Sequence, residues 1–163
     1  MIRYIFFILL FIISKSYSLE IQCKFEEVYS NSSVQNGFFL IKDQKLRYQY
    51  YSKDLFTIFQ NDNKFYLLKN NDASIVQRLN QNTELLKELM LILSQYPNLK
   101  KSYTFHDKDL NINLEKEING NFYKRISIQS EKLNMSIYLN DCISVKIKNR
   151  FFNHNPYFEY KLN

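Results

Sequence analysis

From residue 19 onward, apolar and polar side chains alternate with a period of two. Leu19, Ile21, Cys23 and Phe25 are interleaved with Glu20, Gln22 and Lys24. Leu46, Tyr48 and Tyr50 face one way in a segment where Arg47, Gln49 and Tyr51 face the other. Leu110, Ile112 and Leu114 repeat the pattern, as do Leu133, Met135, Ile137 and Leu139. This is the period of half-buried strands, whose successive side chains point to opposite faces.

Further strands are expected over Gln35–Lys42, Leu55–Gln60, Phe65–Lys69, Ser74–Leu79, Ser102–His106, Phe122–Gln129, Cys142–Arg150 and Tyr157–Leu162. Asn61-Asp62-Asn63-Lys64 and Asn119-Gly120 read as hairpin turns, because Asn, Asp and Gly tolerate positive φ. Asn140-Asp141 is expected to turn the chain into the Cys142–Arg150 strand. One helix, Asn82–Tyr96, interrupts the strands. Asn82 or Thr83 can cap it, and Leu85, Leu89 and Ile92 run beside Leu86, Met90 and Leu93 at helical spacing, with Pro97 just beyond. The expected fold is mainly β: an incomplete, half-open antiparallel barrel of ten or eleven strands with one internal lid or plug helix.

The first 18 residues read as a signal peptide. Arg3 precedes nine uninterrupted apolar residues, Ile5 to Ile13, and Ser16-Tyr17-Ser18 offers small residues for cleavage after Ser18. That apolar run is shorter than the ~20 residues a spanning helix needs. Residues 19–163 then form one domain with neither linker nor repeat. The net charge of +6 falls to +4 once Arg3 and Lys15 leave, and the basic residues are scattered, so nucleic acid is not an expected partner. In an oxidising compartment Cys23 and Cys142 are a disulfide candidate, the alternative being two buried thiols. Gln22 and Glu20 before Cys23 do not make a lipid-attachment box, so the mature protein is expected to be unlipidated.

No catalytic motif, metal-ligand spacing or phosphate loop stands out, and no enzyme, cofactor or metal is expected. With only Gly37 and Gly120, glycine is too scarce for most phosphate-cradling loops. His106 and His154 read as surface residues, and Glu115 and Glu117 as partners for Lys or Arg across a sheet. The remaining candidate is apolar surface. Phe38, Leu40, Leu46, Tyr48, Tyr50, Phe56 and Ile58, with Leu86, Leu89, Met90 and Leu93 of the helix, line a cavity in this reading; the same residues would equally fill a dry core.

The stretch Gly37-Phe38-Phe39-Leu40-Ile41-Lys42-Asp43-Gln44-Lys45-Leu46-Arg47-Tyr48-Gln49-Tyr50, followed by Asn61-Asp62-Asn63-Lys64 and Phe65-Tyr66-Leu67-Leu68, resembles the signature of the periplasmic outer-membrane lipoprotein carriers, the LolA family. The likeness is best over Gly37–Leu68. It implies an incomplete β-barrel closed by helices, a hydrophobic cavity for acyl chains and a periplasmic location. It implies lipid-modified proteins as cargo, received by a monomer from an inner-membrane releasing transporter and passed to an outer-membrane acceptor. An alternative is an envelope lipid- or peptide-binding or sensor protein with the same half-barrel. The sequence departs from the family where Lys42 stands for its lid-holding Arg and Asp43 for its Pro, while Arg47 matches its second Arg and Tyr48 replaces a Trp. Lys42 and Arg47 are thus the lid-latch candidates. The family's first helix has no counterpart, because a strand pattern begins at Leu19.

Overall fold

The computed structural model of the chain describes residues 20–61, 64–79, 87–88, 102–107, 110–116, 123–131 and 133–153. Among the described residues there are ten strands: β1 (Glu20–Tyr29), β2 (Val34–Lys42), β3 (Lys45–Tyr50), β4 (Phe56–Asn61), β5 (Lys64–Lys69), β6 (Asp72–Leu79), β7 (Ser102–Asp107), β8 (Leu110–Lys116), β9 (Tyr123–Gln129) and β10 (Asn134–Ser144). All belong to one antiparallel sheet in the order β6-β5-β4-β3-β2-β1-β10-β9-β8-β7. The first six strands are one meander and the last four another. The first and last strands pair in the middle, so β6 and β7 are left as the two open edges.

The β1–β10 junction brings together residues from near the two ends of the described chain. Cys23 and Cys142, 119 residues apart, are joined there by a disulfide with Cα atoms 4.1 Å apart. Register slips by one residue at this point: Gln22 pairs with Ile143, but Lys24 pairs with Asn140. The extra residue makes a bulge in which Asp141 takes a φ of 51° and its carboxylate accepts from Lys24 Nζ at 2.7 Å. The expected turn at Asn140-Asp141 is therefore a bulge within one continuous strand, and the strand expected over Cys142–Arg150 is replaced. β10 ends at Ser144, and a 3-10 helix follows at Asn149–Phe152. Aspartate suits both turns and bulges, since its short polar side chain tolerates the left-handed region.

Alternation gives the sheet two apolar faces. On one, Ile21, Cys23 and Phe25 of β1 meet Phe39 and Ile41 of β2, Leu46 and Tyr50 of β3, and Met135, Ile137 and Leu139 of β10. Ile126 and Ile128 of β9 and Ile112 and Leu114 of β8 extend that cluster. On the other face a smaller cluster joins Phe38 and Leu40 of β2 to Ile147 and Phe152. The C-terminal segment thus covers the second face. It is held there by Lys42, whose Nζ donates to the Ile147 carbonyl at 2.8 Å and pairs with Glu20 at 3.2 Å. Glu20 also accepts from the Ile147 amide.

Of the expected helix Asn82–Tyr96, residues 87 and 88 are described and are helical; the rest lies outside the described residues, so an internal lid helix is not shown. The signal peptide, the Asn119-Gly120 turn, Glu117, His154 and the strand expected over Tyr157–Leu162 also lie outside them. Residues 80–101 join β6 to β7, the two edges of the sheet.

Candidate functional site

The turn between β2 and β3 decides which residues reach the larger face. Lys42 pairs with Lys45, leaving a two-residue loop, and Phe39 then lies opposite Tyr48 while Phe38 lies opposite Gln49. Asp43 opens that loop with a φ of 54°. A proline, whose ring holds φ near about −65°, could not stand there. The family's proline is thus incompatible with the turn this chain makes.

The larger face carries a partly open cavity of about 210 Å³. β3 contributes Leu46, Tyr48 and Tyr50, β2 contributes Phe39, and β4 contributes Ile58. Ile126 and Ile128 come from β9, and Met135, Ile137 and Leu139 from β10, with Leu133 just before it. β1 supplies Glu27 and Tyr29. Six neighbouring strands at a spacing of about 4.8 Å would place β4 and β9 roughly 24 Å apart in a flat sheet. One cavity of this size touches both, so the sheet curves around it.

The floor is aromatic. Phe25 stacks on Tyr48 with ring centroids 4.0 Å apart and meets Tyr50 edge-on at 5.4 Å. Phe56 meets Tyr50 edge-on at 5.1 Å. Gly37, between Phe25 and Tyr50 in the ladder, makes this possible: a Cβ there would lie 2.4 Å from the Phe25 ring and 2.1 Å from the Gln49 carbonyl oxygen.

One charged group sits among these rings. Glu27, 3% exposed, accepts from three tyrosine hydroxyls. Tyr48 donates to Oε1 at 2.6 Å, Tyr29 to Oε2 at 2.7 Å, and Tyr50 lies 3.0 and 2.8 Å from the two oxygens. Burying a carboxylate away from water costs several kcal/mol or more unless donors replace the lost hydration, and the three hydroxyls do so. The tyrosines respond in turn. Burial first, and then the adjacent Glu27, push the Tyr48 and Tyr50 phenols well above their ordinary range and Tyr29 up to about 12. No Lys, Arg or His among the described residues forms an ion pair with Glu27.

Of the residues expected from sequence to line a cavity, Leu46, Tyr48, Tyr50 and Ile58 do so, and Phe56 packs against the same cluster. Phe38 and Leu40 do not: the two-residue turn puts them on the opposite face, under Ile147 and Phe152. Leu86, Leu89, Met90 and Leu93 lie outside the described residues. The latch candidates Lys42 and Arg47 both bond to the C-terminal segment, while the lid they were expected to hold lies outside the described residues. Arg47 alternates with Tyr48 and so points away from the cavity; its Nε donates to Gln49 at 2.9 Å and its Nη1 to the Phe151 carbonyl at 3.3 Å. Burial pushes this guanidinium down to about 10. With Lys42 it fastens the C-terminal segment to the smaller face.

Sequence reading missed Glu27, Tyr29, Phe39 and the whole β9–β10 wall. A signal for Glu27 was present, since it continues the inward phase of Ile21, Cys23 and Phe25, where a charge is out of place. Among the described residues no group of three His, Cys, Asp or Glu side chains could hold a metal. No protein-family model matches the chain, and a comparison with curated proteins finds no match.

Proposed function

We propose that the chain is an exported carrier that binds the acyl chains of lipid-modified proteins on the inner face of its curved sheet. The observation that carries this reading is the cavity: its walls are aromatic and aliphatic apart from Glu27 and its tyrosines. Burial of an acyl chain there would contribute about 0.8 kcal/mol per CH₂. In this proposal the inner-membrane transporter loads the periplasmic carrier, and an outer-membrane acceptor takes the chains by burying them better. The half-open barrel with the helix Asn82–Tyr96 as lid belongs to the same proposal. Connectivity supports it, because β6 and β7, the strands on either side of that segment in the sequence, are the two edges of the sheet.

A second reading is a binding protein for a free single-chain lipid, and the size of the cavity favours it. A cavity of about 150 Å³ admits a benzene ring. By that measure the 210 Å³ here takes a chain segment of about eight or nine carbons. A triacylated cargo would require the two walls to part, which a sheet with two unpaired edges permits.

Native mass spectrometry of protein recovered from a membrane-containing extract tests both. A bound lipidated polypeptide supports the carrier, and a free single-chain lipid supports the second reading. No apolar ligand at any lipid concentration contradicts both.

A further inference from the structure

We propose that the cavity selects a single-chain amphiphile with a cationic ammonium head, which docks against Glu27 and its ring of tyrosines. This rests on the acyl-chain reading above and adds the chemistry of the head.

The cavity has two unlike ends. Cross-strand register places Tyr29 beside Met135 and Glu27 beside Ile137. Four residues along β1, Cys23 pairs with Phe39, which in turn pairs with Tyr48 on β3. That distance is about 13 Å along the strands. Glu27 and Tyr29 therefore mark a polar end, and Phe39 and Leu46 an apolar end. An amphiphile fits with its head at the first and its chain toward the second.

The polar end is short of positive charge, not of hydrogen bonds. The hydroxyl protons of Tyr29, Tyr48 and Tyr50 are directed at Glu27. What the tyrosines then offer to the cavity is oxygen lone pairs and ring faces, both of which attract cations. A carboxylate behind aromatic rings, in apolar surroundings and without a basic partner among the described residues, favours an ammonium group and repels a carboxylate or phosphate.

The test compares three decyl amphiphiles on protein purified from cells expressing the full sequence, each below its micelle concentration: decyltrimethylammonium, decyl maltoside and decanoate. Binding is followed by calorimetry. The ammonium compound is expected to bind at least about tenfold more tightly than decanoate. Glu27→Gln keeps the shape and one acceptor oxygen but removes the charge, and it should bring that ratio close to one. Equal binding of all three by the native protein would overturn the head-group inference alone. Failure of all three to bind would overturn the acyl-chain reading with it. The native comparison stands even if the variant does not fold.

Discussion

The hydroxyl of Tyr50 lies 3.0 Å from one carboxylate oxygen of Glu27 and 2.8 Å from the other, so one residue of β3 spans the whole charged group of β1. The two strands are not neighbours; β2 runs between them. The contact passes over β2 at Gly37, which pairs with both Phe25 and Tyr50. This absence of a side chain on β2 allows the aromatic floor and the carboxylate to meet.

Alkaline pH should therefore unfold the domain through its tyrosines. Tyr29, Tyr48 and Tyr50 have folded-state pKa values above the unfolded value near 10, and Tyr29 reaches about 12. Below pH ~10 both states hold these protons and the contribution to stability is fully present. As pH rises from ~10 through 12 the unfolded state releases protons that the folded state keeps, and stability falls. Tyrosinate absorbance should show these three phenols ionising together with loss of circular dichroism.

Gly37→Ala should destabilise the domain by about 1–3 kcal/mol or more, because the added methyl meets a backbone oxygen as well as a flexible ring. The variant's urea midpoint should fall with little change in slope. The near-ultraviolet tyrosine signal should change as the Phe25, Tyr48 and Tyr50 rings are displaced.

Replacing Cys23 and Cys142 together by Ser should cost about 2–5 kcal/mol, since the bond closes a very long loop. Chemical unfolding with and without a reductant measures it. The native protein in reductant should match the double variant, and the variant should be insensitive to reductant.

The C-terminal segment should matter for stability and not for ligand binding. Phe152, fully buried under β2, should cost about 3–5 kcal/mol when replaced by Ala. Its affinity for a decyl amphiphile, measured below the unfolding temperature, should stay within about twofold of the native value, because the cavity lies on the other side of the sheet.

Most strands were legible from their period-two pattern, and so was the separation of Tyr48 from Arg47 across the faces of β3. The positions of Phe38 and Leu40 were not. Four consecutive apolar residues, Phe38 to Ile41, hide the phase of a strand, and only the two-residue turn at Asp43-Gln44 fixes it. The β9–β10 wall depends on the pairing of β1 with β10 across more than a hundred residues, which no local pattern reveals; the two cysteines were its one trace. Glu27 was overlooked because carboxylates are presumed to be solvated, yet here the hydroxyls of Tyr29 on its own strand and of the distant Tyr48 and Tyr50 take the place of water.

The central claim is that an apolar chain enters between the β3 and β10 walls of the sheet. Methyl NMR of the isotope-labelled protein titrated with decyltrimethylammonium tests it most directly. The account predicts shifts at Leu46, Ile126, Ile128, Met135 and Ile137, with Leu40 and Ile147 on the opposite face unmoved. Shifts confined to Leu40 and Ile147, or none on either face, would contradict it.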